Sequence, residues 1–142
     1  FRNVMNTYFS TKKSLYHYIS MAEGNYREFL RGANVKAKKY FYVMRPVLAC
    51  RWILEKGTPP PMRFTELMAA ELPGTLHSEM EHLLELKMNA PEIKEIPRID
   101  VLNEYLDTSI TEIKNLLLDM DDTKKMEWEI LNQMFLKFIS VN

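Results

Sequence analysis

Lys38, Tyr42 and Arg45 fall at spacings of four and three, the interval that places side chains on one stripe of a helix. A cation–aromatic–cation stripe suits a phosphate with a base or sugar beside it. Lys39 and Tyr40 adjoin it. Arg51 follows between Cys50 and Trp52 in an apolar stretch, and an arginine so placed needs an anion. Two partners can meet that need: a carboxylate of the same chain, or a ligand. A second set, His17, Ser20, Gly24, Arg27 and Arg31, repeats at 3, 4, 3 and 4 and shares one helical face. Gly24 costs that helix roughly 1 kcal/mol relative to alanine. The cost is explained either by close approach of a ligand or by tight packing on another helix.

Other chemistries find less support. His77, Glu81 and Glu85 are spaced i, i+4, i+8, a geometry open to a metal but common on solvated helix faces. Asp119-Met120-Asp121 spells the Asp-x-Asp of metal-dependent nucleotidyl transfer, yet its setting reads as the end of one helix and the cap of another. The four glycines are isolated, so there is no glycine-rich phosphate loop. No local motif supports a Ser/His/Asp or Cys/His site. No arginine lies five to seven residues before any of the three histidines, as a helical ribonuclease signature would require.

The elements that must position these residues read as an all-α bundle of six helices, over about 11–31, 35–56, 65–72, 75–88, 98–120 and 123–139, without a strand. Ser10 is placed to cap the first helix and Gly32 to end it. Leu15, Ile19, Ala22, Tyr26, Phe29 and Leu30 form its apolar face. The second helix stops at Gly57, and Phe41, Met44, Leu48 and Trp52, widened by Val43, Val47, Cys50 and Leu54, make it central. Pro46 inside it removes the donor for the Tyr42 carbonyl, so a kink or break is expected, at roughly 3 kcal/mol if uncompensated. Thr58-Pro59-Pro60-Pro61 is a stiff connector. Ile99, Leu102, Leu106, Ile110, Ile113, Leu117 and Met120 mark the seam of the fifth helix, and Asp122 would cap a sixth with Met126, Ile130, Met134 and Ile139 inward. The ten methionines read as core filler.

The chain has 142 residues, enough for one domain with a real core, and one cysteine, which suits a reducing compartment and a cytoplasmic location. No apolar run is long enough to cross a bilayer. It begins at Phe1 without a visible signal peptide, as a processed chain or a fragment would. Its zero net charge hides an asymmetry. Residues 1–63 hold twelve Lys/Arg against three acids, and residues 64–142 hold seven against sixteen. The basic half points to an anionic partner, or to the acidic half itself.

Tyr16-His17-Tyr18, Gly24-Asn25-Tyr26, Lys39-Tyr40-Phe41-Tyr42 and Arg45-Pro46 carry a resemblance. Together, over residues 8–64, the sequence is similar to the region after the catalytic domain in nucleotidyltransferases associated with RNA ligases, members of the polymerase-beta superfamily. The resemblance implies a preceding α/β domain with a Gly-Ser motif and Asp-x-Asp carboxylates for two metal ions. This sequence holds no Gly-Ser pair. The catalytic domain is therefore expected upstream of this chain, with Mg2+ and a nucleoside triphosphate as cofactors of the intact protein and none held by this part. Nucleotide, RNA and that missing domain are the implied partners, and no membrane. His17, Lys39, Tyr42, Arg45 and Arg51 are the implied binding residues. Lys39, Arg45 and Arg51 would neutralise phosphate, Tyr42 would stack or hydrogen-bond, and His17 would orient a hydroxyl. The alternatives are a non-catalytic interaction module, which would pair its long last helices with another chain, and a stand-alone RNA-binding domain.

Overall fold

In a computed structural model the backbone of residues 2–141 and the side chains of residues 11–120 are described. Helix α1 (Arg2–Phe29) leads through a short strand β1 (Asn34–Lys36) into α2 (Ala37–Lys56). After the proline connector come α3 (Phe64–Glu71), a single 3₁₀ turn (Gly74–Leu76) and α4 (His77–Asn89). Strand β2 (Glu95–Pro97) then precedes α5 (Asp100–Val141). The described chain is thus mostly helical, as expected, but with five α-helices rather than six and one small antiparallel ladder.

Each departure has a local cause. No glycine or proline lies between Asp100 and Val141, so nothing stops α5 at Asp122. At 42 residues it spans about 63 Å. The inward residues expected of the separate sixth helix lie outside the described side chains. Likewise nothing breaks residues 2–10, and α1 runs through Ser10 instead of starting there. The ladder pairs Asn34 with Pro97, Val35 with Ile96 and Lys36 with Glu95. Only Val35 and Ile96 point inward, and one apolar residue per strand is too short an alternation to read.

Helix α2 is the hub. Its contacts with α1 are the most extensive, and α3, α4 and α5 also lie against it. Tyr40, Val43, Met44, Val47, Leu48 and Cys50 are fully buried. Pro46 is buried inside an unbroken helix. Neighbours pack around α2 closely enough to offset the lost donor, each buried aliphatic side chain contributing about 1.5–3 kcal/mol. Gly57 ends the helix at φ 68, where its N–H bonds the Ile53 carbonyl at 2.8 Å. Leu54, expected on the apolar stripe, is 37% exposed. Leu102, Leu106, Ile110, Ile113 and Leu117 bury one seam of α5, as their spacing predicts.

A buried polar network ties three helix ends together. The Tyr40 hydroxyl donates to Asn103 Oδ1 at 2.6 Å and accepts from the Ile99 N–H at 2.8 Å. Asn103 Nδ2 donates to the Leu30 carbonyl at 2.7 Å. Leu30 follows the end of α1 and Ile99 precedes the start of α5, so both backbone groups are those a helix end leaves without a partner. Arg98 adds a further clasp, donating to the Arg31 carbonyl at 3.1 Å and pairing with Asp100 at 2.8 Å.

Candidate functional site

On α2, Lys38, Tyr42 and Arg45 are all exposed, along the stripe their spacing predicts. Tyr42 is 47% exposed, unusual for an aromatic on a central helix. Lys39 is half-buried, with Nζ 3.8 Å from the Phe29 ring centroid and 4.5 Å from that of Tyr42. Two ring faces therefore fix this charge beside the exposed tyrosine. Arg45 Nη1 donates to the Met62 carbonyl at 2.9 Å, and its guanidinium lies 5.5 Å from the Phe64 centroid. That bond uses one of five N–H donors and holds the fork in place against the connector after α2.

Arg51 faces another way. Its Nη2 donates to Ser109 Oγ at 2.8 Å and to Glu112 at 3.2 Å, both on α5, and its guanidinium lies 5.5 Å from the Tyr105 centroid. The acidic half of the chain supplies its anion. Its Nε is buried without a hydrogen-bond partner. Glu71 lies in the same neighbourhood. Burial, and then the adjacent Glu55 carboxylate, push its carboxyl up to about 7.

His17 is exposed on α1, its ring centroid 5.8 Å from that of Tyr18. It is not brought to the α2 stripe. Lys39 covers Phe29, and Phe29 lies twelve residues, about 18 Å, further along α1 than His17. The whole face of His17, Ser20, Gly24, Arg27 and Arg31 is open to solvent. A Cβ on Gly24 would meet nothing within 4 Å, so no other part of the described chain packs there. Arg27 pairs with Glu23 at 3.3 Å. Glu23 also binds Lys114 of α5, whose hydrogen bond holds the Glu23 carboxyl below its ordinary range.

The remaining candidates are occupied structurally. His77 Nε2 is 3.0 Å from the Leu72 carbonyl. Asp119 and Asp121 lie on the continuous backbone of α5 rather than at a helix boundary, and the Asp121 side chain lies outside the described residues. Among the described residues no group of three His, Cys, Asp or Glu could hold a metal ion. The described residues thus offer no two-metal centre of the kind the resemblance implies for a preceding domain. Cys50 is fully buried, its Sγ 3.7 Å from the Leu15 carbonyl, and burial pushes its thiol up to about 12.

The described chain is thus a helical body with an exposed cationic–aromatic stripe on α2. The sequence matches the RNA repair pathway DNA polymerase beta family over residues 1–137, and the chain belongs to that family. It is 42% identical over 141 residues to the uncharacterized protein YcgL of Bacillus subtilis (strain 168). That match covers 97% of this chain and 54% of YcgL, so the chain spans about half the length of the curated relative it matches. No solved structure is significantly similar to it. No helix among the described residues is long and apolar enough to cross a membrane.

Proposed function

We propose that this chain is the helical, substrate-facing part of a larger nucleotidyltransferase whose catalytic domain precedes it and whose acceptor is RNA. The observation that carries this reading is the α2 stripe: two exposed cations flanking an exposed tyrosine, with Lys39 fixed beside it, in a member of a polymerase-beta family named for RNA repair. Charged donors that are already oriented bind phosphate at low entropic cost. In this reading Lys39 and Arg45 neutralise phosphate and Tyr42 stacks on a base or sugar. Arg51 is a positioning residue, since it ties α2 to α5 through Ser109 and Glu112. His17 serves a separate part of the substrate path, about 18 Å along α1 from the Phe29–Lys39 contact.

The metal chemistry belongs to the other domain in this proposal. Bound Mg2+ there would polarise the transferring phosphoryl group, while the residues of this chain bind and orient. The test is metal-dependent transfer from a nucleoside triphosphate to RNA by the full-length protein, with Arg45→Ala and Tyr42→Ala variants alongside the parent. Loss of turnover or nucleotide affinity supports the assignment, and unchanged values for both variants refute it.

A further inference from the structure

A surface adjoining the α2 stripe, sharing Lys38 with it, has the chemistry of a ligand site. A cavity of about 370 Å³ opens between the first turn of α2, the end of α4 and the loop that follows it, a size within the roughly 300–1,000 Å³ of small-molecule sites. Four lysines line it: Lys36 at the end of β1, Lys38 in the first turn of α2, Lys87 from α4, and Lys94 from the loop. No acid does. None of the four forms an ion pair among the described residues. Two acids adjoin lining residues in the loop, Glu92 between Pro91 and Ile93 and Glu95 opposite Lys36 in the ladder, and both stand outside the cavity lining. Between the lysines the wall is apolar, with Phe41, Leu86 and Ile93 forming its body. Lys87 Nζ lies 5.3 Å from the Phe41 centroid, so charge and ring face are adjacent.

Convergence of four unpaired cations raises the local potential and costs folding energy through self-repulsion. An anion would relieve it. Helix α2 adds to the field, because its first turn has no acidic residue and its N-cap, Lys36, makes no side-chain cap. A bare inorganic anion would use the lysines but leave the apolar wall exposed. A ligand joining a phosphate to a flat, weakly polar ring uses both.

We infer that this cavity binds a nucleoside phosphate, with the phosphate among Lys36, Lys38, Lys87 and Lys94 and the base against Phe41 and Ile93. The choice of a nucleobase as the ring rests on the function proposed above; the demand for an anion does not. Two sources share this chemistry, a free nucleotide and the phosphorylated end of an RNA strand.

Isothermal titration of the full-length protein with AMP, adenosine, inorganic phosphate, and a short oligoribonucleotide with and without a 5′-phosphate tests the assignment. No turnover is needed, so failure of this site and failure of transfer chemistry are distinguishable. AMP is expected to bind at least tenfold more tightly than adenosine or phosphate, and to shift the backbone amide resonances of residues 36–41 and 93–94. Joint Lys87→Ala and Lys94→Ala substitution, at two exposed sites outside the α2 stripe, should weaken AMP about tenfold. Ile93→Ser should weaken AMP while leaving the affinity for phosphate unchanged, and Lys13→Ala on α1, which does not line the cavity, should change neither. Tighter binding of the 5′-phosphorylated strand than of AMP, with the same residues shifted, would support the site and assign it to an RNA end. Equal binding of adenosine and AMP, equal binding of phosphate and AMP, or shifts confined to other residues would overturn the inference.

Discussion

Truncating Asn103 to alanine removes the centre of the Tyr40–Asn103–Leu30 network. Asn103 is 8% exposed and Tyr40 fully buried, so water cannot readily replace what is lost. Two groups are left without partners: the Tyr40 hydroxyl as donor, formerly 2.6 Å from Oδ1, and the Leu30 carbonyl, formerly 2.7 Å from Nδ2. A buried polar group deprived of its partner costs about 1–3 kcal/mol. Two such groups at a site near the helix ends, where some relaxation is available, give a loss of about 3 kcal/mol. That is a large share of the roughly 5–15 kcal/mol that separates native from unfolded domains. Urea unfolding followed by circular dichroism should show the midpoint falling with the slope unchanged. Tyr40→Phe orphans the Ile99 N–H and Asn103 Oδ1 instead and should cost about 2 kcal/mol. Since both substitutions break one shared bond, the double variant should lose at least 1 kcal/mol less than the sum of the single losses. An Asn103→Ala loss under about 1 kcal/mol, additive with Tyr40→Phe, would refute the claim that this network locks the helix ends.

Gly24→Ala should stabilise the chain by about 0.5–1 kcal/mol, because the added methyl enters open space on an exposed helix face; a rise in thermal midpoint checks it. Cys50 should resist thiol reagents in the native protein and react fully in denaturant, since it is buried and its thiol is pushed up to about 12; fast native labelling would contradict this. Glu71 holds its proton more tightly in the folded state than in the unfolded one, whose carboxyl titrates near 4.5. Its contribution is therefore full below about pH 4.5 and falls away as pH rises toward about 7. Glu71→Gln should flatten unfolding midpoints across that window, and an unchanged pH slope would count against it.

Helical class and core were legible because apolar spacing on α1, α2 and α5 is strong. Leu15, Ile19 and Ala22 are buried as their interval requires, and so are Leu102 through Leu117 at theirs. Helix ends were less legible. Asp122 and Ser10 are good capping residues, but a cap stops a helix only where the preceding chain resists helix, and here it does not. The Tyr40–Asn103 bond joins residues 63 apart, and no local pattern marks either as polar core. Lys38, Tyr42 and Arg45 could be placed on one stripe from spacing alone. The commitment of Arg51 to α5 depends on Ser109 and Glu112, whose distance in sequence hides them. The lysine-lined cavity was invisible for the same reason, because it draws on three segments that only the fold brings together.

The central claim is that the α2 stripe handles the substrate of a nucleotidyl transfer. Its most direct measurement is kcat/KM for transfer to RNA by the full-length protein carrying Arg45→Ala, with folding verified by circular dichroism. A charge-assisted contact of about 1.5–3 kcal/mol corresponds to a fall of roughly 10- to 150-fold. A fall of that size is predicted, and a value of kcat/KM equal to that of the parent protein would contradict the claim.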